Sequence, residues 1–65
     1  MWRIWVFTLT VTAARHTSWT WERHGETIES GAFRHESFEH CLLDAKGHGF
    51  DFAQPYHLKT RQAEE

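Results

Sequence analysis

The chain has 65 residues, with four Trp, five Phe and one Tyr, and a net charge of −2 when its six histidines are neutral. At that length it is one domain at most and buries only about 60% of the surface its unfolded form exposes, so it needs a dense aromatic core or a staple. The single cysteine, Cys41, excludes an internal disulfide and agrees with a reducing compartment, and the absence of a strongly basic stretch argues against nucleic-acid binding, whose affinity rests on neutralised phosphates.

The N-terminal run MWRIWVFTLTVTAA has the outline of a secretory signal, but it is rich in Thr and Trp, which suit a strand better. Residues 2–12 are therefore expected to form a long strand. Trp5, Phe7, Leu9 and Val11 alternate onto one face and belong to the core; Trp2, Ile4, Val6, Thr8, Thr10 and Thr12 point the other way. AARHTS, with neither Gly nor Pro, is expected to be a loop rather than a tight turn. SWTWERH puts Trp19, Trp21 and Arg23 on one face and Ser18, Thr20, Glu22 and His24 on the other. HGE marks a turn at Gly25, and ETIES is a short third strand with Ile28 pointing inward.

Phe38, Cys41, Leu42 and Ala45 recur at helical spacing and predict a helix over about 36–48. Ser37 is the better intrinsic cap, whereas a start after His35 sets Glu36 in the first turn. Lys46 and His48 carry the sign the helix C-terminus prefers, and Gly49 followed by Phe50 predicts a glycine cap with Phe50 folding back toward Ala45. Leu43 falls outside the core stripe. Beyond the helix, Phe50, Phe52, Tyr56 and Leu58 are spaced around Pro55, which restricts the segment to an edge strand or an extended strap. KTRQAEE, residues 59–65, has almost nothing to bury and is expected to be a frayed tail beyond a single domain of 1–58.

The stretch WERHGETIESGAFRHESFEHCLLDAKGHGF resembles the repeat unit of the small YegP-like bacterial proteins of unknown function. The likeness rests on Trp21, Gly25, Glu26, Ile28, Phe33 and the Cys41/Leu42 stripe, and it covers residues 21–50. Those proteins tend to carry Asn before the turn glycine and to repeat the unit; here His24 holds that place and one copy is present. The resemblance implies a three-stranded sheet crossed by one helix, and it implies no activity.

Two clusters on the helix invite a chemical reading. Glu36, His40 and Asp44 form a row at i, i+4, i+8 that suits weak binding of a transition metal, or a solvated face with minor charge pairing. Cys41, Asp44 and His48 lie along one flank, as a thiolate, an imidazole and an orienting acid would; equally, Cys41 is a small buried apolar group. His40 points away from the stripe that holds Cys41, so these two cannot converge on one ion. HESFE lacks the second His of the zinc-protease helix, and no Cys pair offers a structural zinc. No cofactor and no metal are expected.

The fold expected is α+β: a three-stranded antiparallel β-meander packed against one α-helix (β-β-β-α), with an extended C-terminal segment. Its core should hold Trp5, Phe7, Trp19, Trp21, Ile28, Phe38, Cys41, Leu42 and Ala45. One helix covers one sheet face, so the other presents Trp2, Ile4, Val6, Thr20, Glu22 and His24 as candidate binding residues unless the C-terminal segment folds over them. The function expected is a non-catalytic protein- or peptide-binding module in the cytoplasm, working as a homodimer or with another protein. A nucleic-acid module using Arg3, Arg15, Arg23 and Arg34 is the alternative, opposed by Glu22, Glu26 and Glu29 on the same strands. A membrane role is not expected, since no run reaches about 20 apolar residues.

Overall fold

The computed structural model describes residues 3–63. The elements run β1 (Ile4–Thr12), β2 (Thr17–His24), β3 (Ile28–Ser30), α1 (Phe38–Gly47) and β4 (Tyr56–Ala63). The sheet has four strands in the order β3-β2-β1-β4. β2 pairs antiparallel with β1 and with β3, while β4 pairs parallel with β1. The fold is α+β, but the expected three-stranded antiparallel meander is corrected to a four-stranded mixed sheet.

The added strand joins the segment expected to be an edge strand or a strap to the first part of the expected frayed tail. Pro55 stands just before β4, where its missing N–H costs no ladder bond, and its carbonyl accepts from Trp5 N at 3.1 Å. A turn built on Asp51 delivers it: the Asp51 carboxylate accepts from Ala53 N at 2.9 Å, and Gln54 N donates to the Asp51 carbonyl at 2.8 Å. Residues 59–63 complete β4; residues 64 and 65 lie outside the described residues. The strand escapes the pattern because it buries neither face, so alternation of apolar with polar residues fades after Leu58.

The β1–β2 connection is tighter than expected. Arg15 N donates to the Thr12 carbonyl at 2.9 Å, Thr12 N donates to the His16 carbonyl at 3.0 Å, and Arg15 takes φ +64°. This is a short hairpin turn closed by a left-handed residue, a place that usually goes to glycine.

Ser37 caps α1, its hydroxyl accepting from His40 N at 3.2 Å, so the helix begins at Phe38 with Glu39 in its first turn. At the other end Gly49 takes φ +105°, Gly49 N donates to Lys46 O at 3.1 Å, and Phe50 N donates to Ala45 O at 3.0 Å. That paired arrangement folds Phe50 back onto the core, as expected.

The core is aromatic and small. Trp5, Phe7, Trp21, Cys41, Ala45 and Phe50 are buried, with Trp19, Phe38 and Leu42 packed at its margin. Phe50 sits centrally, its ring centroid 5.2 Å from that of Trp5 and 5.1 Å from that of Phe7, edge on to both, the geometry that aromatic quadrupoles favour. Ile28 is not part of the core: it pairs with His24 on the opposite sheet face and is 66% exposed. The ten residues of α1 reach about 15 Å, against about 30 Å for β1, so the helix covers only part of the sheet. Leu43 is exposed, as expected.

Candidate functional site

The sheet face opposite α1 is uncovered among the described residues. Cross-strand register lays Val6 between Glu22 and His57, Thr8 between Thr20 and Lys59, and Thr10 between Ser18 and Arg61. Of the predicted binding residues, Ile4, Val6, Thr20, Glu22 and His24 lie together here, each half-buried, and Trp2 lies outside the described residues. The apolar side chains of this face are Ile4 and Val6 on β1 and, two strands away, Ile28 on β3. The Glu22–His24 pair, Oε1 to Nε2 at 2.9 Å, stands between them on β2, and most of the remaining face is Ser and Thr. The C-terminal segment does not fold over this face. It extends the face by one strand and adds His57, Lys59 and Arg61 as a row on the new edge.

The helix clusters do not assemble as chemistry. Cys41 is 0% exposed, and burial first, then the Asp44 charge, push its thiol up to about 11. Asp44 turns toward the strands: its Oδ2 accepts from Trp21 Nε1 and contacts His35 Nε2, each at 3.0 Å. Those bonds, His35 first and Trp21 second, hold the carboxyl below its usual value. His48 Nδ1 bonds to the Asp44 backbone carbonyl at 3.0 Å and stands 3.6 Å from the carboxylate Oδ1, so the expected Asp44–His48 pair does form. Asp44 fastens α1 onto β2 while keeping His48 in reach, but Cys41 is buried with its thiol held protonated and Glu36 stands before the Ser37 cap, so neither expected row assembles as a site. Among the described residues no three His, Cys, Asp or Glu side chains gather in a way that would hold a metal ion.

His35 was not singled out by the sequence. It bridges Trp19 in the sheet, N to O at 2.9 Å and O from N at 2.7 Å, and that bridge aims its ring at Asp44. The arginines proposed for phosphate contact do not form one surface. Arg3 and Arg23 line one depression with Glu26 and Glu29, where Arg23 pairs with Glu29 and donates to the His48 carbonyl at 3.0 Å; Arg15 and Arg34 line another beside Glu36.

β4 realises the edge strand, one of the two forms expected for the segment around Pro55, and carries it through residues 59–63 of the expected tail. All of it from Tyr56 to Gln62 is exposed. Its helix-side row carries Tyr56 and Leu58, 41% and 60% exposed, next to Phe52. Its other row carries His57, Lys59 and Arg61. It pairs with β1 alone, so its outer edge has no partner among the described residues. No helix of the described residues is long and apolar enough to cross a membrane. Comparison with protein-family models, with curated proteins and with solved structures finds no match for this chain.

Proposed function

We propose that the chain is a non-catalytic binding module that accepts an extended protein segment along β4. The observation that carries this reading is an eight-residue edge strand, paired on one side only among the described residues and exposed from Tyr56 to Gln62. Sheets usually blunt such an edge by shortness, a proline or a bulge. The opposite edge is short, since β3 has three residues; β4 has no such device beyond its charges. Strand addition draws affinity from main-chain hydrogen bonds and specificity from alternate side chains, and β4 offers both. The uncovered face with Ile4, Val6 and Thr20 runs continuously into it, so a bound segment would widen that face rather than cap it.

The ladder shows which backbone groups are free. Trp5 N donates to Pro55 O. In a parallel ladder alternate residues turn to the same neighbour, so 57, 59 and 61 face β1, and Tyr56, Leu58, Thr60 and Gln62 turn their N–H and C=O outward. Thr60→Pro therefore removes an outward donor and leaves the β1 ladder whole. Selection from a library of extended random peptides tests the reading. Bound peptides should shift the amide resonances of 56–62 and be lost with Thr60→Pro. Binders that map elsewhere and tolerate Thr60→Pro would overturn it.

A further inference from the structure

The charges on β4 select among occupants. His57, Lys59 and Arg61 project from one face of the strand, and among the described residues neither Lys59 nor Arg61 makes an ion pair. Their neighbours across β1 are Thr8 and Thr10, which are neutral. The carboxylate that strand register places on this face, Glu22, stands two strands away on β2 and is held by His24. The edge thus presents two fixed cations and an imidazole at every second residue.

A second copy of the chain fits this edge poorly. In an antiparallel pair the residues set opposite each other share a sheet face, so a symmetric dimer of edges pairs odd residues with odd. Registers centred on Lys59, Thr60 or Arg61 place Lys59 against itself, Lys59 against Arg61, or Arg61 against itself. Like charges directly opposite are destabilising. A nucleic acid can stack a base on Tyr56 or meet the cations, but these lie on opposite faces of the strand, and it would leave the outward backbone groups of Thr60 and Gln62 unused.

We infer that β4 takes an acidic, extended peptide segment. Its carboxylates alternate with apolar side chains, so that the acids face His57, Lys59 and Arg61 while the apolar residues lie beside Tyr56 and Leu58. This inference rests on the strand-addition reading above and narrows it to one class of partner.

The test uses the whole chain and capped peptides that alternate Glu with Val or Lys with Val, with affinity read by calorimetry and the location by amide shifts. The Glu/Val peptide should bind along 56–62 at least about tenfold more tightly than the Lys/Val peptide, and less tightly as salt is raised. Reversing Lys59→Glu with Arg61→Glu should invert that preference. Thr60→Pro should abolish both modes, and N-methylation of the peptide at the amides facing β4 should do the same against the unaltered protein, which covers a proline variant that fails to fold. Equal binding of both peptides, lost with N-methylation, would leave strand addition standing and overturn the acidic partner. Glu/Val binding that survives N-methylation and Thr60→Pro would overturn strand addition itself. Binding of neither peptide would overturn both. So would a single-stranded oligonucleotide that shifts the same amides, or a dimer that dissolves with Thr60→Pro, because each names a different occupant for the edge.

Discussion

The indole Nε1 of Trp21 donates to Oδ2 of Asp44 across 3.0 Å, and the same oxygen contacts Nε2 of His35 at 3.0 Å. One carboxylate thereby joins the middle of β2, the connection before α1 and α1 itself. Asp44→Ala strands the Trp21 donor and frees His35. The cost expected is about 2–3 kcal/mol of unfolding free energy, from one lost charge-assisted bond and one unsatisfied buried group. Urea titration of the two proteins reads it, and a change under about 0.5 kcal/mol would reduce the bond to decoration.

The same carboxylate sets an acid dependence. The His35 and Trp21 bonds depress its folded pKa below the ordinary 3.8. A depressed carboxylate contributes stability that is fully present above the unfolded value and is lost as pH falls through the lower, folded one. The stability gap between the unaltered chain and Asp44→Ala should therefore be constant at neutral pH and close only in that acidic window. A gap that instead closes between pH 5 and 8 would assign the dependence to the histidines.

Gly31 and Gly47 should respond in opposite directions to alanine. A Cβ at Gly31 would sit 2.5 Å from Trp21 Nε1, so the indole must move and its bond to Asp44 must strain. The loss expected is about 1–3 kcal/mol, with an altered near-ultraviolet Trp signal. At Gly47, in the last turn of α1, a Cβ meets nothing within 4 Å. Gly47→Ala should add up to about 1 kcal/mol by helix propensity and by lowering the entropy of the unfolded chain. Thermal melts of the pair give both signs in one experiment.

Much of this fold was legible in the sequence, where burial imposes a period. Trp5, Phe7, Trp19 and Trp21 alternate because one face of β1 and β2 meets a helix, and Phe38, Cys41, Leu42 and Ala45 recur because one stripe of α1 meets that sheet. Where an element buries little, the period vanishes. Thr60, Arg61 and Gln62 form a strand through backbone pairing alone, so composition reads them as a tail. Ile28 misled for the converse reason: an apolar residue in a three-residue edge strand paid no penalty for facing solvent. The candidate site divides the same way. Ile4, Val6, Thr20, Glu22 and His24 were placed on one face by strict alternation, whereas His35 reaches Asp44 only through its bridge to Trp19, a long-range pairing with no local signature.

The hairpin between β1 and β2 carries removable strain. Arg15 holds φ +64°, a region that costs an L-residue with a Cβ about 1 kcal/mol and costs glycine nothing of the kind. The bond from its backbone N–H to the Thr12 carbonyl, with the Thr12–His16 bond beside it, fixes that conformation whatever the side chain. Arg15→Gly should raise stability by a few tenths to about 1 kcal/mol, the relief of strain being offset in part by the greater freedom of glycine in the unfolded chain. Arg15→Ala keeps the Cβ and should gain nothing, so the comparison separates backbone strain from loss of charge.

Cys41 should be silent until the protein opens. Its side chain is wholly buried against the strands, and burial with the neighbouring Asp44 charge raises its thiol to about 11. At pH 8 the thiolate is thus scarce as well as inaccessible, and a disulfide reagent must wait for an opening event. Labelling of the native chain should proceed far more slowly than labelling in denaturant. At low reagent concentration, where opening and closing outpace the thiol reaction, it should accelerate in Asp44→Ala by about tenfold for each 1.4 kcal/mol of lost stability, since labelling then tracks the population of the open form. Immediate labelling of the native chain would place Cys41 at the surface. It would then restore the thiol, rather than the edge of β4, as the group to pursue.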